Sequence, residues 1–245
     1  MTPKITLEMH AQFQDVGFFV LEDIFTRQEM NDLAWYIEQF QKQHEESLRT
    51  QGGTEGISRA GEITFTAFLA ERAEPIRHFC TRQEFVTIST KMLGPDVDLY
   101  WNQAVFKGPE GEKPFPWHQD DGYTQVDPSP YLTLWLALSD ATVDNGCISV
   151  LPGSHHRGLV PHHPSPIGLF CYDLDNPDQG IQVPVRAGSL VVFSSLLFHK
   201  SGINRSLDTR KAYVIQYSHA GLRNAATGEV LPNKLPVARG GVPVE

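Results

Sequence analysis

Along the first third of the chain, apolar positions recur at helical spacing. In "TRQEMNDLAWYIEQFQKQ", residues 26–43, Met30, Leu33, Ala34, Ile37 and Phe40 fall on one stripe. Thr26 stands as N-cap with Glu29 three residues on, so the pattern predicts a capped amphipathic helix. A second helix is expected over 74–92, where Ile76, Phe79, Cys80, Phe85, Ile88 and Met92 keep the period until Gly94-Pro95 stops it. Trp35, Phe40 and Phe79 are assigned to the apolar faces of these helices. The run "VGFFVLEDIF", 16–25, is a short apolar run opened by Gly17 and reads as a buried strand. Glycine-rich "RTQGGTEGISRAGE", 49–62, lacks any period and reads as a mobile surface loop or lid, with Arg49 and Arg59 in solvent.

From Asp98 the texture changes to short β-prone runs broken by Pro, Gly, Asn and Asp: "DLYWNQAVFK", "YLTLWLALS", "CISVLP", "IQVPVRAGSLVVF" and "KAYVIQYSHA". Strands in this number with no long helical pattern among them indicate a sandwich or barrel, with helices confined to the N-terminal third. Trp101 is expected in the sheet core. The segment 154–181 is the longest insertion expected between strands. No repeat or long linker divides the chain, so one domain over 1–245 is expected.

Composition narrows the partners. Of the 245 residues 40% are hydrophobic and 20% charged, the balance of an ordinary globular protein. A formal charge of −9 argues against a broad nucleic-acid surface, which needs clustered Lys and Arg. A small molecule is the expected partner. "SLVVFSSLLF", 189–198, is half the length of a membrane span, and no membrane association is expected. Met1–His10 has no signal pattern, and Cys80, Cys147 and Cys171 form no CxxC motif, so a cytoplasmic protein with reduced, space-filling thiols is expected.

The candidate chemistry starts at "FPWHQDDGY", 115–123. In an extended strand His118 and Asp120 share one face while Gln119 points the other way, and Asp121 alternates off the ligand face. A third ligand is offered by His199, at the end of an apolar strand, completing the composition of a two-His, one-carboxylate triad for non-haem Fe(II). Ligand count alone leaves a His₂Asp zinc hydrolase open, and a jelly-roll binding protein without turnover is a further alternative. Eleven residues after His199, Arg210 opens the next strand, where a buried guanidinium needs a carboxylate partner. A 2-oxoglutarate molecule supplies one, with its keto-acid end left to chelate iron. His155, His156, His162 and His163 lie in Pro/Gly/Ser-rich sequence and read as solvated or substrate-lining.

"WHQD", "DNGCISVLPGSH", "AGSLVVFSSLLFHKSGINRS" and Arg210 together resemble the phytanoyl-CoA dioxygenase (PhyH) family of Fe(II)/2-oxoglutarate oxygenases, from Phe13 to Ala220. The resemblance implies a double-stranded β-helix, that is, a cupin-like jelly roll supported by N-terminal helices. It implies His118, Asp120 and His199 as iron ligands. Arg210 and Ser201 would anchor the distal 2-oxoglutarate carboxylate, and Gln103, Trp135 and Gln119 would lie near the co-substrate. The implied reaction converts 2-oxoglutarate and O₂ to succinate and CO₂ while hydroxylating, desaturating or otherwise oxidising a C–H bond. Because Asp120 is a carboxylate, hydroxylation or another oxidation is preferred over halogenation.

Overall fold

A computed structural model describes residues 3–171, 180–232 and 234–244. Five helices fill the N-terminal part: α1 Leu7–Val16, α2 Arg27–Thr50, α3 Leu69–Arg72, α4 Glu74–Cys80 and α5 Gln83–Leu93. α1 was not expected from the sequence, since Phe13 is its one buried side chain and its apolar stripe is weak. α2 carries the expected capping box at Thr26 and Glu29, a device worth about 1 kcal/mol, and runs to Thr50 rather than Gln43. The helix expected over 74–92 is two helices, α4 and α5, separated at Thr81 and Arg82. Trp35 is 59% exposed, so it is not core; it lies one residue past the stripe of Met30, Leu33 and Ile37. No helix among the described residues is long and apolar enough to cross a membrane.

Among the described residues the strands build two main sheets and two two-stranded ribbons. Their early members are β1 Phe18–Leu21, β2 Thr54–Glu55, β3 Ser58–Arg59, β4 Ile63–Ala67, β5 Val97–Lys107 and β6 Phe115–His118. There follow β7 Val126–Asp127, β8 Leu132–Ala137, β9 Ile148–Val150, β10 His163–Ser165 and β11 Gly168–Phe170. Farther along the chain come β12 Ile181–Gln182, β13 Leu190–Ser194, β14 His199–Ser201 and β15 Arg210–His219. The large antiparallel sheet runs β1-β13-β8-β15-β5-β4-β3-β2, and the small one β12-β9-β14-β6. The architecture is the mainly β jelly roll with supporting N-terminal helices.

The large sheet is buried on both faces, which is why β8 and β13 read as unbroken apolar runs rather than alternating ones. The alternation survives as a choice between two cores. Leu132, Leu134, Leu136, Leu190, Val192, Tyr213, Ile215 and Tyr217 pack against helix side chains such as Met30, Ile37, Ile76 and Phe85. Their neighbours Trp135, Ala137, Val191, Phe193, Ala212 and Val214 face the small sheet and meet Phe115, Ile148 and Val150. Every polar residue that sits in phase with this second set therefore points between the sheets.

One register break matters. Opposite β15, Gln216 pairs with Trp101 but Tyr217 pairs with Leu99, so Tyr100 is an extra residue, a β-bulge in β5. The 49–62 segment is likewise more ordered than its composition suggested. It forms the β2–β3 hairpin at the sheet edge, with Ser58 buried. Arg59 is not in solvent but donates to the carbonyls of Gly56 (3.0 Å), Ser58 (2.8 Å) and Pro166. Arg49 does lie largely exposed, with ion pairs to Glu45 (2.9 Å) and Glu110 (3.4 Å). Within the 154–181 insertion, residues 172–179 lie outside the described residues; the rest includes the β10–β11 hairpin.

Candidate active site

His118 ends β6 and His199 opens β14, and the two are direct cross-strand partners in the small sheet. After Gln119 the chain turns into a 3₁₀ helix, Asp120–Gly122, which brings Asp120 back toward both rings. Asp120 Oδ1 lies 3.7 Å from His118 Nε2 and 3.4 Å from His199 Nε2. Among the described residues these three form the one group able to hold a metal ion, with donor atoms all within 4.8 Å of one another.

Each imidazole is set up to offer its Nε2 lone pair. His118 Nδ1 faces the Pro116 carbonyl (2.9 Å) and His199 Nδ1 the Leu197 carbonyl (3.0 Å). A carbonyl only accepts, so each Nδ1 carries the proton. Burial, reinforced by His199, pushes His118 down to about 3, which keeps its ring neutral. Asp120 is the converse case. Burial alone would raise its carboxyl, but His199, His118 and the Thr133 bond outweigh burial and bring it down to about 2.

Two residues that sequence reasoning missed aim that carboxylate. Thr133 Oγ1 donates to Asp120 Oδ2 at 2.7 Å and Gln216 Nε2 at 2.9 Å, leaving Oδ1 free for the site. Thr133 lies two residues before Trp135, and Gln216 lies six after Arg210, so both share the inward face. Period-two counting from Trp135 and Arg210 was the available signal.

A cavity opens from the triad and is also lined by Ser201, Trp135 and Arg210. Arg210 is 1% exposed. Its Nη1 donates to the Gly146 carbonyl (3.0 Å), its guanidinium carbon lies 5.2 Å from the centre of the Trp135 ring, and its Nε is buried with no hydrogen-bond partner. No carboxylate pairs with it among the described residues, and burial brings its pKa down to about 10. Lys107, its cross-strand partner, adds a second buried basic group and was also missed. Lys107 Nζ donates to Ser201 Oγ (3.1 Å) and to the Ser201 and Gly202 carbonyls; burial, then Arg210, push it down to about 7. An unpartnered cationic pocket beside a two-His, one-carboxylate cluster is chemically suited to a metal ion chelated by a dicarboxylate.

The other expected site residues divide. Gln103 lines this cavity. Gln119 does not: it is fully buried, donates to the carbonyls of Gly158 and Leu196 (both 2.8 Å) and accepts from Val160 N (3.0 Å). It ties the loop after β9 to the metal turn, because the strand's alternation sends it behind the ligand face. Asp121 is off the ligand set, though the alternation argument ends where the 3₁₀ turn begins. Its buried carboxylate accepts from Ser129, and burial, with the Asp120 charge, pushes it up to about 6. His155 is half-buried and His156 exposed, and neither lines the cavity; their Nε2 atoms bond the carbonyls of Gln14 (3.1 Å) and Asp15 (3.0 Å) at the end of α1. His162 likewise accepts from Gln119 N (3.0 Å).

The family model for phytanoyl-CoA dioxygenase (PhyH) matches residues 13–212. The chain belongs to the PhyH family. Membership places it in the class of non-haem Fe(II)- and 2-oxoglutarate-dependent oxygenases. Among PhyH relatives, the peroxisomal phytanoyl-CoA dioxygenase of Bos taurus is 26% identical over 240 residues, covering 88% of this chain and 69% of that protein. Phytanoyl-CoA dioxygenase domain-containing protein 1 of Mus musculus is 25% identical, covering 85% and 88%. Solved structures share the fold. The non-haem α-ketoglutarate-dependent carbocyclase SnoK from nogalamycin biosynthesis has a TM-score of 0.76 at 21% identity, covering 96% of this chain and 97% of its own. EvdO2 from Micromonospora carbonacea var. aurantiaca, complexed with 2-oxoglutarate, has a TM-score of 0.71 at 23% identity, covering 94% and 96%.

Proposed function

We propose that this PhyH-family protein oxidises a C–H bond of a small-molecule substrate at an iron held by His118, Asp120 and His199. When bound, Fe(II), 2-oxoglutarate and O₂ supply the oxidising power, the co-substrate leaving as succinate and CO₂. The chain supplies placement. Neutral His118 and His199 and ionised Asp120 donate three ligands, and Thr133 and Gln216 fix the direction of the third. Arg210 holds the distal carboxylate, Ser201 adds a hydrogen bond to it, and Trp135 walls the cavity beneath the guanidinium. Lys107, by donating to Ser201 Oγ, leaves that hydroxyl's own proton to point at the carboxylate. Gln103 stands at the boundary between this cavity and the substrate side.

The observation that carries the proposal is the orphaned Arg210 Nε, a buried donor on a buried cation within the cavity that the triad closes. A zinc hydrolase gives that cation no role, and a jelly roll without turnover is expected to carry a damaged triad or to lack the arginine. The three free cysteines and the acidic charge support a reducing, cytoplasmic setting and a small molecule rather than nucleic acid as partner. Anaerobic addition of Fe(II) and 2-oxoglutarate is expected to give a weak visible metal-to-ligand band, absent with zinc and absent in Asp120→Ala. A missing band, together with no succinate in air across a broad substrate panel, would overturn the proposal.

A further inference from the structure

On the other side of His118 and Asp120 lies a second cavity of about 180 Å³. Its walls are rings: Phe65, Tyr100, Trp101, Phe115, Tyr123 and Tyr131. Two consecutive strand residues cannot normally face one cavity, and the bulge at Tyr100 is what allows Tyr100 and Trp101 to do so. The rings are braced by other rings. Trp101 lies 4.3 Å from Phe68, Tyr100 5.0 Å from Tyr131, and Phe65 5.3 Å from Phe115, centre to centre. Phe68 holds a left-handed backbone (φ 57°), a conformation that bulky residues keep only where the surroundings enforce it.

Besides the hydroxyls of Thr124 and the three tyrosines, the cavity holds two amides whose orientation is fixed. Trp101 Nε1 donates to Gln103 Oε1 (3.2 Å), so the Gln103 amide presents its NH₂. Gln216 spends its NH₂ on Asp120 and Thr133 (2.9 and 3.3 Å) and keeps its oxygen. An indole N–H only donates and an ionised carboxylate only accepts, so both amide orientations are dictated by their partners. No lysine or arginine is among the described residues lining the cavity, and its one carboxylate, Asp120, is a metal ligand.

We propose that the substrate is an uncharged molecule with a flat ring system, stacked on the Tyr100–Trp101 wall, whose carbonyl or hydroxyl oxygen meets the Gln103 amide beside the metal. This inference rests on the oxygenase reading above. A ligand anion would find no cation here. A ligand cation would find Asp120 already neutralised by the iron it holds. Braced aromatic faces with neutral hydrogen-bonding groups among them favour a planar, oxygenated, neutral ring system over an acyl chain carrying a charged head group.

The test is calorimetric titration of the anaerobic Fe(II)- and 2-oxoglutarate-loaded protein with three probes of one shape: 2-acetonaphthone, 2-naphthoate and trimethyl(2-naphthyl)ammonium. The neutral ketone is expected to bind at one site at least about tenfold tighter than either ion, and Trp101→Ala is expected to weaken it at least about fivefold. Should Trp101→Ala fail to fold, Tyr123→Leu, at a 40% exposed ring, is expected to lose affinity in the same direction. Equal or tighter binding of naphthoate or of the ammonium probe overturns the inference, as does no binding of any probe by protein that still binds 2-oxoglutarate. Absence of 2-oxoglutarate binding in the unmutated protein overturns the oxygenase reading itself, and this inference falls with it.

Discussion

The two cavities meet at His118, Asp120 and Gln103 yet are built on opposite principles. The cavity beside Arg210 is organised by charge: a buried arginine without a carboxylate, a buried lysine paired across the sheet from it, and a hydroxyl that accepts from the lysine. The cavity beside Trp101 is organised by aromatic surface, with neutral hydrogen-bonding groups among the rings. A charged pocket has few chemical solutions, because a buried unpaired ion costs several kcal/mol until the right counter-ion arrives. An aromatic pocket fixes a shape and a polarity and leaves the identity of its ligand open. The same molecule therefore specifies its co-substrate far more narrowly than its substrate.

The largest effect should come from the element common to both cavities. Asp120→Ala removes a ligand and is expected to abolish Fe(II) retention and succinate release, measured by metal analysis and coupled turnover. Next, Arg210→Met is expected to raise the dissociation constant for 2-oxoglutarate by at least about thirtyfold, since truncating one partner of a buried charge pair costs roughly 2–5 kcal/mol. At saturating 2-oxoglutarate the same variant should leave 2-acetonaphthone binding within about twofold, and a larger loss there would break the separation between the cavities. Thr133→Val combined with Gln216→Leu should lower metal affinity by about 10–100-fold, read by Co(II) titration, because the Asp120 carboxylate loses both donors that aim it.

The smallest effect concerns protons. Lys107 is depressed from 10.5 to about 7 by burial and by Arg210, so at pH 8 it is mostly neutral in the free protein. An arriving dicarboxylate favours its charged form, so 2-oxoglutarate binding at pH 8 should take up a proton. Calorimetry in two buffers of different ionisation enthalpy reads this directly, and Lys107→Met should abolish it. The stability sign follows from the same shift. Between about pH 7 and 10.5 the unfolded chain holds a proton on Lys107 that the folded protein lacks. Stability of the metal-free protein is therefore expected to rise with pH across that window, and Lys107→Met should flatten the slope in denaturant melts.

The sequence revealed these two regions unequally. His118, Asp120 and His199 could be picked out because a metal constrains residue type, and Arg210 because a cation in an apolar strand demands a partner. The jelly roll was legible from short β-prone runs, and α2 from its cap and stripe. What could not be read depended on register. Lys107 matters because it pairs across the sheet with Arg210, and Trp101 because Tyr100 is an extra residue opposite β15. Neither pairing is encoded in spacing along one strand. Trp101, read as sheet core, is only partly buried and lines the aromatic cavity for this reason. The first histidine pair of the insertion shows a further role that spacing does not reveal, because pinning a loop to α1 calls for the same residue type as lining a pocket.

The bulge in β5 also separates two inheritances. From Gln103 to Lys107 the strand keeps step with Arg210 and Val214, while on the far side of Tyr100 it keeps step with the helices through Leu99 and Val97. A change in residue 100 or 101, or loss of the extra residue, would redraw the wall that meets the substrate and leave the lysine–arginine pair in place. Along one strand, then, selection can revise what the protein acts on without renegotiating what it consumes to do so.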